Sequence, residues 1–232
     1  MIERLVLWDI DGTLLRAGPL AREAFYRAVA RTLGRHPGGH RVQMGGKTDP
    51  QIVLEILDSA VGAREARLKL PAALTRLEAE LADGARSLRA HGRVLPGVVE
   101  VLARLDDDPT VHQSVLTGNT AANAFVKLAA FELTPWLDLE VGAYGSDDAD
   151  RTCLVPVALD RARRLRGVAV EPGQVWVVGD TPSDLACARA GGARCLLVAT
   201  GRVPWGTLAD AGADAVVADL TDVESVRTLL RS

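Results

Sequence analysis

Residues 5–13 read Leu5-Val6-Leu7-Trp8-Asp9-Ile10-Asp11-Gly12-Thr13, an apolar run that stops on two aspartates and a glycine. Apolar residues in succession, without alternation, mark a strand buried on both faces, as in parallel sheets covered by helices on each side. Further short β-rich runs recur and read as buried parallel strands: Val111 to Leu116, Leu137 to Val141, Val175 to Val178, Arg194 to Val198 and Ala215 to Val217. Amphipathic stretches such as Ala121 to Phe131 and Val155 to Leu165 separate them. The alternation predicts an α/β fold with a doubly wound parallel sheet, and ligands bind such sheets where the strands end.

From about Pro19 to His91 the alternation stops. Leu20 to Leu33, Pro50 to Val61 and Ala63 to Leu88 carry helical periodicity rich in Ala, Leu, Arg and Glu. Ala17-Gly18-Pro19 on one side, and Gly92 with Pro96-Gly97 on the other, punctuate the crossings and suit hinges. The expected organisation is a Rossmann-like core of residues 1–16 and 93–232, with an all-helical cap domain of residues 17–92 inserted after the first strand.

The 232 residues are 48% hydrophobic and 25% charged, with a net charge of −3, which is a globular composition. The near-neutral balance and a pI of about 5.8 leave no basic footprint for a phosphate backbone, so nucleic acid is not an expected partner. Cys153, Cys187 and Cys195 are an odd number without CxxC spacing, which argues against a disulfide framework and a zinc site and suits a reducing cytoplasm. Asp9 and Asp11 cut the first apolar run too early for a secretory segment, and no run of 18 apolar residues predicts a membrane span. Only Lys47, Lys69 and Lys127 are lysines, so any task that needs one has few candidates. No signal for an oligomeric state appears.

In an extended chain Asp9 and Asp11, at i and i+2, would point the same way from the sheet edge. A polar turn is the plain alternative. A calcium loop is excluded, because its glycine and its twelfth-position ligand would fall on Leu14 and Leu20. Two other strand ends also deliver polar groups to this rim: Thr117-Gly118-Asn119 and Gly179-Asp180-Thr181-Pro182-Ser183-Asp184. Helix capping accounts for some of them, since Thr117 or Asn119 could cap a helix and Thr181 before Pro182 has the N-cap pattern.

Asp9-Ile10-Asp11-Gly12-Thr13, Leu116-Thr117-Gly118-Asn119 and Gly179-Asp180-Thr181-Pro182-Ser183-Asp184 together resemble motifs I, II and IV of the haloacid dehalogenase-like hydrolase superfamily, and the helical insert resembles its phosphoglycolate phosphatase-like branch. Members that dehalogenate lack an acid at the position of Asp11, so the resemblance implies phosphoryl transfer. Four aspartates gathered at one rim would repel by about 4 kcal/mol per pair at 4 Å, which a divalent cation relieves, and an oxygen-only shell suits Mg²⁺. The resemblance implies that Asp9 and Asp180 bind the metal by side chain, Asp11 by its carbonyl, and Asp184 through water or by orienting its neighbours. It further implies Asp9 as nucleophile, Asp11 as general acid and base, and Thr117 with the amides of Ile10, Gly118 and Asn119 as holders of the phosphoryl oxygens. The implied substrate is a small-molecule phosphate ester.

One departure stands out. The motif III lysine has no counterpart, and Lys127 lies within the helix after motif II, so the nearest cation in the expected segment is Arg151. The competing role for Arg151 is a surface pair with Asp147, Asp148 or Asp150. Gly45-Gly46-Lys47-Thr48-Asp49 is not a P-loop, because Arg41 stands where that motif needs glycine. In capped relatives the corresponding loop reads the leaving group, which makes Lys47 a candidate specificity residue, with His40, Arg41 and Gln43 as weaker ones; a solvated lysine at a helix start is the alternative. A phosphomutase, or a non-catalytic module binding a phosphorylated ligand, are the rival functions.

Overall fold

The computed structural model describes residues 2–39 and 41–232. Strand β1 (Arg4–Trp8) leads into the two-residue β2 (Leu15–Arg16), and then come helices α1 (Pro19–Leu33), α2 (Asp49–Val61), α3 (Ala63–Asp83) and α4 (Ala85–His91). The chain continues through β3 (Arg93–Val94), α5 (Val98–Asp106), β4 (Val111–Thr117), α6 (Ala121–Ala130), β5 (Ala143–Tyr144) and α7 (Leu154–Arg166). It ends with β6 (Val175–Gly179), α8 (Pro182–Ala190), β7 (Arg194–Val198), α9 (Trp205–Ala209), β8 (Ala215–Val217) and α10 (Val223–Arg231).

Six of these strands form one parallel sheet in the order β5-β4-β1-β6-β7-β8. The unalternating apolar runs are explained by two dry faces. Val6, Trp8, Trp176 and Val178 face one core with α5 and α10, whereas Leu5, Leu7, Val175 and Val177 face the other with α7 and α8. Burying a side chain of this size stabilises the fold by about 2 kcal/mol, so a polar substitution on either face of β1 is costly. Trp8 also donates its indole N–H to Gln113 Oε1 at 3.2 Å, and Gln113 donates to the Leu102 carbonyl at 2.9 Å, which satisfies the buried polar atoms.

The order of strands places β1 between β4 and β6, so the three polar strand ends are neighbours. The helical insert leaves and returns side by side, because β2 pairs antiparallel with β3, Arg16 opposite Arg93. This small ribbon has no signature in the sequence. Ile52, Val53, Ile56 and Leu57 of α2 pack with Ala24, Phe25, Ala28 and Val29 of α1 and with Leu77 and Leu81 of α3.

Two expectations need correction. Leu137 to Val141 is not a strand: Asp138 donates its N–H to the Gln113 carbonyl, but the Val141 N–H turns back onto the Asp138 carbonyl, and pairing with β4 begins only at Ala143. The helix expected over Ala63 to Leu88 is divided at Gly84, which closes α3 with its N–H on the Glu80 carbonyl. The apolar period runs across the break because Leu81 and Leu88 are both buried.

Candidate active site

Asp9 follows β1 directly and donates its backbone N–H to the Val178 carbonyl at 2.8 Å, so its place is fixed by the sheet. The chain then folds over itself. The N–H groups of Leu14 and Leu15 both donate to the Ile10 carbonyl, and Gly12 has φ 101°, a conformation that L side chains rarely adopt. A Cβ at Gly12 would lie 2.5 Å from an Asp180 carboxylate oxygen, so only glycine allows this close approach.

The two motif I aspartates do not point the same way, because the extended geometry ends at this turn. Asp9 is buried and turns toward Asp180 and Asp184, and these three carboxylates each offer an oxygen within 4.8 Å of the others. The side chain of Asp11, 42% exposed, turns toward α6, where it accepts from Asn119 Nδ2 at 2.9 Å and from Lys127 Nζ at 2.5 Å. The carboxylate cluster therefore holds three members rather than four.

Arg151 is no surface residue. Its side chain is only 7% exposed, and Nη2 donates to Asp9 Oδ1 at 2.9 Å and to Asp184 Oδ1. Asp147 is engaged instead by Arg161, and Asp150 caps the short turn Arg151–Cys153 by accepting from the Thr152 N–H. Asp184 spends its other oxygen on the N–H and hydroxyl of Thr181, at 2.9 and 2.6 Å, in a capping box that starts α8. Both Asp184 oxygens are thus committed. Asp180 accepts no hydrogen bond among the described residues. Burial pushes its carboxyl up to about 8, reinforced by Asp9 and Asp184. Burial pushes Asp9 up to about 7, with Arg151 pulling down and Asp184 and Asp11 pushing up. Two buried carboxylates that give up their protons reluctantly, one of them without a donor, fit a divalent cation with oxygen ligands.

Thr117, Gly118 and Asn119 end β4, and Thr117 Oγ1 accepts from Asn119 Nδ2 at 2.8 Å. The insert rests on this loop. The Asp49 N–H donates to the Gly118 carbonyl at 2.7 Å, and a Cβ at Gly118 would come within 2.4 Å of the Lys47 carbonyl. Thr48 caps α2 in a capping box with Gln51 and also donates to the Ala149 carbonyl at 3.0 Å. Lys47 Nζ is held by both carboxylate oxygens of Glu55, at 2.6 and 2.7 Å, beside a cleft of about 510 Å³ that Arg151, Asp150 and Ser183 also line. Arg41 and Gln43 are exposed, and His40 lies outside the described residues.

Lys127 is the feature that sequence reasoning missed. Side chains on a helix lean toward its N-terminus, and α6 begins at the motif II loop, so a long stem two turns in still reaches the strand ends. The spacing Asn119, Asn123, Lys127 was the available signal.

An all-parallel sheet with acidic motifs at the ends of β1 and β6, and a threonine-led loop at the end of β4, defines a haloacid dehalogenase-like hydrolase. The sequence profile of that family matches residues 3–192, and the chain belongs to it. The chain is 32% identical over 228 residues to the plasmid phosphoglycolate phosphatase of Cupriavidus necator, covering 97% of this chain and 94% of that one. It is 27% identical over 235 residues to phosphoglycolate phosphatase 1 of Pseudomonas aeruginosa, covering 96% and 79% respectively. Among solved structures, CbbY from Rhodobacter sphaeroides in complex with phosphate superimposes with a TM-score of 0.66 at 20% identity, covering 96% of each chain. Among the described residues no helix is long and apolar enough to cross a membrane.

Proposed function

We propose that this protein is a Mg²⁺-dependent phosphatase that hydrolyses a small phosphomonoester through an aspartyl-phosphate at Asp9. What carries the proposal is the convergence of Asp9, Asp180 and Asp184 beneath a buried Arg151 at the carboxyl edge of the sheet. The phosphoglycolate phosphatase relatives support the same class of substrate.

Asp9 and Asp180 would hold the metal by side chain and Asp11 by its backbone carbonyl, with Asp184 keeping Arg151 and Thr181 in place. When bound, Mg²⁺ supplies positive charge that keeps Asp9 ionised and offsets the phosphoryl charge. Asp9 attacks phosphorus, the bond to the leaving oxygen breaks, and Asp11 gives that oxygen a proton. Asp11, now a carboxylate, takes a proton from water, whose oxygen attacks phosphorus and releases Asp9 and inorganic phosphate. The Thr117 hydroxyl and the amides of Ile10, Gly118 and Asn119 would hold the phosphoryl oxygens, as preorganised donors for developing charge. Arg151 neutralises Asp9 and the transferring group, a task its planar fork suits.

Residues 17–92 act as the cap over a core of residues 1–16 and 93–232, with Lys47 on the face that meets the leaving group. The Arg151 cation on Asp9 speaks against a non-catalytic binding module. We place the protein in a reducing cytoplasm, which the odd count of cysteines suits. Turnover of p-nitrophenyl phosphate with Mg²⁺, abolished by EDTA, tests the proposal. No turnover at any Mg²⁺ concentration would overturn it.

A further inference from the structure

Of the three lysines only Lys127 is buried, its side chain 5% exposed against 31% for Lys47 and 34% for Lys69. Burying an ammonium costs several kcal/mol unless carboxylates and hydrogen bonds repay it. Here they do. Lys127 Nζ donates to Asp11 Oδ2 at 2.5 Å and to Asn119 Oδ1 at 2.6 Å, and Asn119 Nδ2 donates to the same Asp11 oxygen at 2.9 Å. The three side chains close a ring that leaves Asp11 one orientation.

Asp49 has no part in phosphoryl transfer, yet it is one of the buried carboxylates. It is the first residue of α2, so it comes from the insert, while its partners come from the motif II loop and α6. Asp49 Oδ2 accepts from the Thr120 N–H at 2.9 Å and from Asn123 Nδ2 at 2.6 Å, and its own N–H caps the Gly118 carbonyl. Asn123 lies one helical turn before Lys127 on the same face of α6. Asp49 therefore bonds the first turn of α6, the helix that carries Lys127, only while the first turn of α2 sits on the core.

We propose that Lys127 is a positioning residue that aims the Asp11 carboxyl at the leaving oxygen, and that Asp49 ties this placement to the docking of the insert on the motif II loop. Seating the insert then completes the proton-transfer half of the site through α6.

The proposal rests on the phosphatase reading, and a series of para-substituted phenyl phosphates separates the two. A nitrophenolate departs with little help, whereas a methoxyphenolate needs the proton that Asp11 delivers. Lys127→Met is expected to lower kcat/KM for the methoxy ester about tenfold more than for the nitro ester, steepening the dependence on leaving-group basicity. Lys127→Arg restores part of the difference, and Asp49→Asn, a near-isosteric change that keeps a side-chain oxygen for the Thr120 N–H, steepens it by about threefold. An equal loss across the series in Lys127→Met, or no loss, overturns the positioning role, and a flat response in Asp49→Asn overturns the link to docking. A wild-type chain that hydrolyses none of the esters instead overturns the phosphatase reading, and this proposal with it.

Discussion

The two halves of the site are built differently. On the nucleophile side, Asp9, Asp180, Asp184 and Arg151 all come from the sheet edge and its adjoining turns, and every contact among them lies within the α/β core. On the proton-transfer side, Asp11 is half-exposed and is held by α6, whose first turn is in turn bonded to Asp49 of the helical insert. Under the proposed function the two halves would divide the labour: charge would be preorganised where the covalent bond forms, and docking of the insert would complete the part where the proton moves.

The contrast breaks most directly at the nucleophile. Asp9→Asn removes the attacking oxygen, and a loss of at least about a thousandfold in kcat for p-nitrophenyl phosphate is expected. Residual turnover near wild type would show that Asp9 is not the nucleophile.

Arg151→Ala probes the same half next. It leaves Asp9 and Asp184 without their shared cation, and the expected cost is about 3 kcal/mol in urea unfolding at pH 8, together with at least about tenfold in kcat. Unchanged stability would mean that the buried pair is idle.

The same half sets a pH response. Asp9 and Asp180 titrate at about 7 and about 8 in the fold, against 3.8 for an ordinary aspartate, so the folded state binds their protons more tightly than the unfolded chain. That stabilisation is complete below about pH 4 and is lost as pH rises to about 8. Mg²⁺ bound as proposed would compete for the same oxygens, so its effect on Tm should be small at pH 5 and reach about 5–10 °C at pH 8, near a hundred times Kd. A Mg²⁺ effect that shrinks with rising pH would contradict metal binding by Asp9 and Asp180.

The smallest effect is expected at the cleft mouth. Lys47 and Glu55 form a partly exposed pair worth under about 1 kcal/mol, and Lys47→Ala should leave kcat for an aryl phosphate within about threefold. A change confined to KM would place Lys47 against the leaving group, and a large fall in kcat would move it into the chemistry.

Much of this was legible before folding. Leu5 to Trp8, Val175 to Val178 and Arg194 to Val198 read as strands because both their faces are dry, and the aspartates after the first two sit at the sheet edge because that is where such strands end. Leu137 to Val141 misled because its apolar residues are spaced as in a strand, although Asp138 spends its hydrogen bonds on a turn and on His112 and Arg166. The parallel direction expected for Asp9 and Asp11 failed at Gly12, where a positive φ ended the two-residue period.

The sequence by itself determined the apolar periods, the acidic strand ends and the helical insert, because these follow from local composition and spacing. Only the tertiary structure decided which cation serves which carboxylate. Arg151 meets Asp9 across 142 residues and Lys127 meets Asp11 across 116, and the energy that selects such partners comes from burial, which no local pattern encodes.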